Sequence, residues 1–185
     1  MNRAILYILV LGLLQGCGAS KGGNNSPEQI AQLTQLVVDK SYRFNATKAH
    51  PMQTQAFTTI TNSGILPPGT AAGTIDVTTI TSFIEIHGDS ITGNLPFYGE
   101  RQFGGGPTAV TGIQFKGRPK SFKETYNSKK ERFNIRIEIE GNQELFQLNL
   151  IIFPNGTAHV TVMSNQRNSI RYVGAITAIE SDIKE

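Results

Sequence analysis

Strict alternation of apolar and polar residues is clearest in the segment Phe133-Asn134-Ile135-Arg136-Ile137-Glu138-Ile139-Glu140. Because successive side chains of a β-strand point to opposite faces of a sheet, one face of this segment is apolar and the other is polar. Such a strand is typical of an antiparallel sheet that buries one face and exposes the other to water.

The same period of two continues on both sides of this strand. Gly141-Asn142 predicts a turn into Leu145 to Phe153, a run that is apolar on both faces and is therefore expected to lie centrally or to be covered. Pro154-Asn155-Gly156 predicts a hairpin turn with a positive φ, and Gly88-Asp89 predicts another tight turn. Further strands are predicted at Tyr42–Thr47, Ile80–Ile86, Ala158–Val162 and Ile170–Ile176, with weaker ones at Thr58–Asn62, Thr74–Thr78, Ile113–Phe115 and Ser121–Tyr126.

A helix precedes the strands. Ser26-Pro27-Glu28-Gln29 combines an N-cap serine, a proline suited to the first helical position and a glutamine that completes a capping box. An apolar stripe at helical spacing follows at Ile30, Leu33, Leu36 and Val37, and we expect the helix to end near Lys40.

One helix followed by closely spaced hairpins predicts a mainly β fold. A long antiparallel sheet must curl, close on itself or be covered. We therefore expect a curved antiparallel sheet or a partly closed β-barrel with one N-terminal helix, formed by residues 26–185 as a single β-rich domain.

The composition excludes several classes of protein. The chain has 185 residues, of which 17 are Lys or Arg and 14 are Asp or Glu, for a net charge of +3. A charged fraction of 17% and an apolar fraction of 38% do not fit a coiled coil, a collagen-like fibre or a highly charged disordered tail. The single cysteine excludes an internal disulfide and any multi-cysteine metal site.

The N-terminus has the organisation of a secretory signal. Met1-Asn2-Arg3 carries a positive charge, and Ala4 to Leu14 follows without a charge. A membrane span needs about 20 apolar residues, so this run is too short to cross a bilayer and has the length of a signal h-region. Leu14-Gln15-Gly16-Cys17 then resembles the bacterial lipobox.

The lipobox resemblance implies a lipoprotein. It implies that residues 1–16 are a signal peptide cut off before Cys17, whose sulfur then carries a diacylglycerol. Together with a further acyl chain such as palmitate, this group would act as a membrane anchor. Residues 17–25 would be the lipidated cysteine and a flexible, Gly-rich tether. The alternative is a plain signal peptide followed by an incidental cysteine, or a single buried thiol. We expect a protein of the cell envelope, lipid-anchored to a bacterial membrane, with the outer membrane favoured.

Several segments resemble one known family. They are Leu95-Pro96-Phe97-Tyr98-Gly99-Glu100-Arg101, Thr111-Gly112-Ile113-Gln114-Phe115, Asn155-Gly156-Thr157-Ala158 and the run from Ser164-Asn165-Gln166-Arg167 to Tyr172 and Gly174. These segments are similar to the signatures of a Bacteroidota lipoprotein family catalogued as domain of unknown function 4251. The resemblance implies an envelope lipoprotein with a mainly antiparallel β domain, and it supplies no reaction, ligand or catalytic residue.

Four residues in these signatures are candidates for binding. Phe97, Tyr98 and Arg101 could line a binding mouth in which Arg101 grips a carboxylate or phosphate, and Arg167 is judged in the same way. The structural alternative is that Phe97 and Tyr98 plug one end of the core while Arg101 pairs with a neighbouring side chain.

Positive charge is concentrated in one part of the chain. The segment from Lys116 to Arg136 holds eight basic residues against only Glu124 and Glu131. A basic hairpin near a bilayer could bind anionic headgroups; the alternative is a well-solvated hairpin tip. The candidate basic surface consists of Lys116, Arg118, Lys120, Lys123, Lys129, Lys130, Arg132 and Arg136.

No catalytic or metal-binding set is recognisable. His87 and Asp89 are the one histidine–carboxylate pair close in sequence, but Asp89 belongs to a predicted turn. We therefore expect no cofactor and a non-catalytic binding or interaction module. Its expected partners are the membrane, through the lipid anchor, and anionic headgroups or an envelope protein, and not nucleic acid. The alternatives are a lipocalin-like carrier of a small apolar ligand and an envelope enzyme of unknown class.

Overall fold

The computed structural model describes residues 26–55, 58–59, 63, 73–103, 111–141 and 144–179. The predicted signal peptide, Cys17 and the tether lie outside the described residues, as does Asn142 of the predicted Gly141-Asn142 turn. None of the helices in the described ranges has the length and apolar character needed to span a bilayer.

Helix α1 spans Pro27–Val38 and begins with the predicted capping box. The backbone N–H of Gln29 donates to the Ser26 hydroxyl at 3.2 Å, and the backbone N–H of Ser26 donates to the Gln29 side chain at 3.1 Å. Leu33 and Val37 are buried against the sheet. The helix ends two residues before the predicted Lys40, which has a φ of 51° and cannot continue a right-handed helix.

Ten strands form one sheet in the described residues. They are β1 Ser41–Pro51, β2 Ile75–Asp76, β3 Phe83–His87, β4 Ser90–Leu95, β5 Ile113–Gly117, β6 Ser121–Asn127, β7 Arg132–Glu140, β8 Leu145–Ile152, β9 Thr157–Ser164 and β10 Ile170–Ala178. The strand order is β5-β4-β3-β1-β10-β9-β8-β7-β6, with β2 paired to the end of β1, and every pairing is antiparallel.

The sheet curls until β5 approaches β7. Phe115 of β5 forms an antiparallel bridge with Gly141, directly after β7. This close approach requires glycine, because a Cβ at position 141 would lie 2.5 Å from the Gln114 carbonyl oxygen. The prediction of a curved antiparallel sheet or partly closed barrel with one N-terminal helix is therefore confirmed.

The interior of this barrel is the hydrophobic core. Phe133, Ile135, Ile137 and Ile139 of β7 point inward, as their alternation predicts, and Phe146 and Leu148 of β8 lie beside them. Strand β8 lies between β7 and β9, as predicted for a central strand. The prediction that both of its faces are apolar was wrong, because Gln147 and Asn149 lie on the outer face and only the alternate residues are buried. Gly156 has a φ of 76°, in agreement with the predicted hairpin turn.

Two local predictions were wrong. Thr58 and Thr59, predicted as part of a weak strand, are helical, and the Thr58 N–H donates to the Thr54 carbonyl at 3.0 Å, while residues 60–62 lie outside the described residues. Ile80 precedes β3 instead of joining its buried face and is 42% exposed. Short segments with β-branched residues therefore predicted strands at positions where local turns provide the backbone hydrogen bonds instead.

Candidate functional site

The four candidate binding residues meet at one rim of the barrel. Strand β4 ends at Leu95 because Pro96 lacks the N–H that a ladder needs, and the chain turns across the rim through Phe97 and Tyr98. Arg101 forms an isolated bridge with Arg167, the residue that links β9 to β10. The Arg167 guanidinium carbon lies 5.1 Å from the centre of the Phe97 ring, within cation–π range.

A carboxylate that the sequence analysis did not select lies at the centre of this group. Arg167 Nε donates to both carboxylate oxygens of Glu144 at 2.9 Å, and Arg167 Nη2 lies 2.9 Å from Oε2. Arg101 Nη2 approaches the same oxygen at 3.4 Å, and the Ser164 hydroxyl donates to Oε1. Glu144 is 5% exposed and Arg167 is 6% exposed, so this is a buried ion pair. We call Arg101, Glu144, Ser164 and Arg167 the rim cluster.

Hydrogen bonds between two loop segments hold the rim cluster in place. Arg167 Nη1 donates to the Thr111 carbonyl at 2.9 Å, which ties the start of β5 to the cluster. The Gln102 N–H donates to the Gln166 carbonyl at 2.7 Å, and the Asn168 N–H donates to the Glu100 carbonyl at 3.1 Å. The rim is thus built from several strand ends that are far apart in sequence.

Burial and hydrogen bonding at the rim favour a structural role for its polar and aromatic side chains. Burial lowers the pKa of Arg167, and the charge and hydrogen bonds of Glu144 oppose this effect. Burial raises the pKa of Tyr172, whose hydroxyl donates to the Pro96 carbonyl at 2.6 Å, and burial also raises the pKa of Tyr98. Phe97 and Tyr98 pack against the core. The geometry matches the structural alternative for these residues, and ligand binding by Arg101 or Arg167 remains a prediction.

Glu144 carried one signal that the sequence analysis missed. It directly precedes Leu145, the first residue of a mainly apolar strand whose alternate side chains are buried. A charge at the edge of such a buried run needs a partner, because an unpaired buried charge is strongly unfavourable.

The eight basic residues lie on β5, β6, β7 and their connections. Lys120 forms an ion pair with Glu140 at 2.6 Å, and the Glu140 hydrogen bond raises the pKa of Lys120. Lys123 and Arg136 are direct cross-strand partners. Lys129 and Lys130 lie on the exposed β6–β7 turn, while Lys116, Arg118 and Lys123 are exposed and Arg132 is half-buried.

Comparison with known proteins settles the family. A family model described as a domain of unknown function, DUF4251, matches residues 24–176. The chain belongs to the DUF4251 family. The predicted resemblance is therefore confirmed.

A solved structure shares the fold of this DUF4251 chain. It is the crystal structure of a DUF4251 family protein from Bacteroides eggerthii, with 16% sequence identity and a TM-score of 0.56. The match covers 82% of this chain and 88% of that protein. No curated protein matches significantly.

Metal-binding side chains are not clustered in the described part of this DUF4251 domain. No group of three or more His, Cys, Asp or Glu residues there could hold a metal ion. His87 ends β3, and Asp89 lies in the tight β3–β4 turn, where Gly88 has a φ of 58°. This turn fits the structural interpretation of the His87–Asp89 pair.

Proposed function

We propose that this DUF4251 protein is a lipid-anchored lipoprotein of the bacterial cell envelope and acts as a non-catalytic binding or interaction module through its outer surface. The resemblance of Leu14-Gln15-Gly16-Cys17 to the lipobox supports the anchor. The observation that supports an outer binding surface is that the barrel interior is filled by its own side chains.

Large aromatic side chains occupy the interior. Tyr42, Phe44 and Tyr172 are completely buried, and Phe146 is 2% exposed. Interiors packed in this way exclude a ligand, whereas carriers enclose a cavity of about 300–1,000 Å³. Hollows of about 460, 400 and 280 Å³ between the described side chains open instead at the outer surface or the rim.

The basic segment favours an anionic partner near the bilayer. A Gly-rich segment of eight residues spans about 15 Å on average if it is a random coil, so lipidation at Cys17 would keep the domain close to the membrane. The Lys40 ammonium, two residues after the end of α1, lies 4.5 Å from the centre of the Phe122 ring on β6, so the basic strand lies near the C-terminal end of this helix. Each Lys or Arg near an anionic surface contributes about 1 kcal/mol to binding.

Photo-cross-linking in intact cells tests this proposal. A photoreactive amino acid would replace Lys129 on the basic turn and, in a control protein, Ala175, which is exposed on β10. We expect phospholipid or envelope-protein adducts from position 129 and few from position 175. Recovery of free monomer alone from both positions would contradict an interaction at the basic surface.

Native mass spectrometry of the purified full chain tests the filled interior. We expect the mass of the polypeptide and its acyl chains alone. A stoichiometric small apolar molecule that persists through purification would instead support a lipocalin-like carrier.

A further inference from the structure

The β6–β7 ladder places two positive charges face to face. Lys123 and Arg136 are partners in the antiparallel register and are both exposed on the outer face. Side chains at such positions have Cβ atoms about 5 Å apart, so like charges there destabilise the sheet. In the described part of the chain, neither side chain has an ion-pair partner.

A hollow of about 400 Å³ lies against this pair of cations. Its lining also includes the neutral polar residues Ser121, Gln147 and Asn149, together with the apolar residues Ile137, Leu148 and Met163. Asn149 is the cross-strand partner of Arg136, so Lys123, Arg136 and Asn149 form one row across β6, β7 and β8. Glu138 is the one carboxylate in the lining, so two cations face a single negative charge.

We propose that this hollow is an oxyanion site that binds a phosphate group. A guanidinium donates two parallel hydrogen bonds to a phosphate, an ammonium adds a point charge, and amides and hydroxyls satisfy the remaining oxygens. A bound anion would also relieve the repulsion between Lys123 and Arg136. The hollow is larger than a phosphate ion, and this leaves room for the rest of a phosphate ester.

Thermal unfolding of the full chain in nonionic detergent tests the site with inorganic phosphate as the probe. We expect phosphate to raise Tm more than chloride does at equal ionic strength, because a ligand that binds only the folded state stabilises it. Equal effects of phosphate and chloride on the wild-type chain would overturn the proposal.

Two matched double variants distinguish a defined phosphate site from general attraction between the basic surface and anions. Lys123→Gln with Arg136→Gln removes two positive charges from the hollow, and Lys129→Gln with Lys130→Gln removes two from the turn. We expect the first pair to weaken phosphate binding about 25-fold, at roughly fivefold for each cation, and the second pair to weaken it only a few-fold. Equal losses in the two variants would show diffuse attraction and contradict a defined site.

The Tm of the first double variant without phosphate shows whether that variant is still folded. Because the first pair also removes the cross-strand repulsion, we expect its Tm without phosphate to equal or exceed the wild-type value. Lost binding together with an undiminished Tm is the result that supports the proposal, since unfolding would lower both.

The phosphate site rests on the proposed function, because it names a ligand class for the same basic surface.

A competition experiment with lipid micelles distinguishes a lipid headgroup from a free phosphate ion as the ligand. Micelles doped with phosphatidylglycerol compete with inorganic phosphate if the site accepts a lipid headgroup, and have no effect if it accepts only the free anion. Failure of phosphate to bind leaves the lipid anchor at Cys17 unaffected, whereas an unlipidated Cys17 leaves the phosphate site unaffected, so the two failures are distinguishable.

Discussion

Arg167 Nε lies 2.9 Å from each carboxylate oxygen of Glu144, and both side chains are almost completely buried. This pair joins the connection between β9 and β10 to the start of β8. Arg167 also donates to the Thr111 carbonyl, just before β5. The ion pair therefore connects the β8–β10 side of the curled sheet to the β5 edge. Removing one member of the rim cluster is therefore expected to leave a buried charge without its partner.

Replacing Glu144 by Gln should destabilise the protein strongly. The substitution keeps the size of the side chain but leaves the Arg167 charge buried without its counter-ion, which typically costs about 3–5 kcal/mol. Urea unfolding measures this loss as a change in the free energy of unfolding. The control is Glu140→Gln, which breaks an ion pair whose side chains are 67% and 52% exposed and which should therefore cause a much smaller loss. Similar losses in the two variants would contradict the role given to Glu144.

Two buried tyrosines should respond differently to loss of their hydroxyl groups. The Tyr172 hydroxyl donates to the Pro96 carbonyl, so Tyr172→Phe should lower the free energy of unfolding by about 1–3 kcal/mol. The Tyr42 hydroxyl is buried without a hydrogen-bond partner among the described residues, so Tyr42→Phe should be neutral or stabilising. Urea unfolding of the two variants provides the comparison, and a larger loss from Tyr42→Phe would overturn it.

Closure of the barrel should depend on Gly141. A Cβ at this position would lie 2.5 Å from the Gln114 carbonyl oxygen and 2.6 Å from the Phe146 ring, so Gly141→Ala forces β5 and β7 apart. Gly156→Ala is the matched comparison, since it meets no atom within 4 Å and introduces only the strain of its positive φ, about 1–2 kcal/mol. We expect faster amide hydrogen exchange in β5 of the Gly141 variant and not in β5 of the Gly156 variant. Unchanged exchange in both would show that the bridge is dispensable.

Stability should fall on mild acidification because of two histidines on the outer face. Burial, with the nearby Arg171 charge, lowers the pKa of His50 and of His159 below the usual value of 6.5. The unfolded chain therefore binds protons at a higher pH than the folded chain does. The free energy of unfolding then decreases as the pH falls from about 7 through the unfolded pKa towards the lower folded values.

A variant with His50→Gln and His159→Gln should lose most of this pH dependence. Urea unfolding between about pH 7.5 and 5.5 covers the range in which an ordinary histidine titrates. His87→Gln serves as the control, because His87 is exposed at the end of β3. An unchanged slope in the double variant would assign the pH dependence to other groups.

Much of the fold followed from local patterns in the sequence. The alternation from Phe133 to Glu140 correctly predicted an inward apolar face, and Ser26, Pro27 and Gln29 correctly predicted the start of α1. The failures at Thr58 and Ile80 occurred where short β-branched segments lacked a sustained period. The order of strands and the Phe115–Gly141 bridge depend on contacts distant in sequence, which no local period reports.

The rim cluster was only partly predictable. Phe97, Tyr98, Arg101 and Arg167 were selected, but the partner that organises them, Glu144, was not. Its role arises from the approach of the β8 start to the β9–β10 connection, which is a property of the folded sheet. Likewise, the register that sets Lys123 opposite Arg136 is fixed by the β6–β7 hairpin and not by the charge run itself.

Metabolic labelling with a palmitate analogue tests whether Cys17 attaches the protein to a membrane. The full chain and a Cys17→Ser variant would be expressed in a bacterium, labelled and compared in the isolated envelope fraction. We expect a labelled wild-type protein and an unlabelled variant. An unlabelled wild-type protein, or equal labelling of the two, would contradict it.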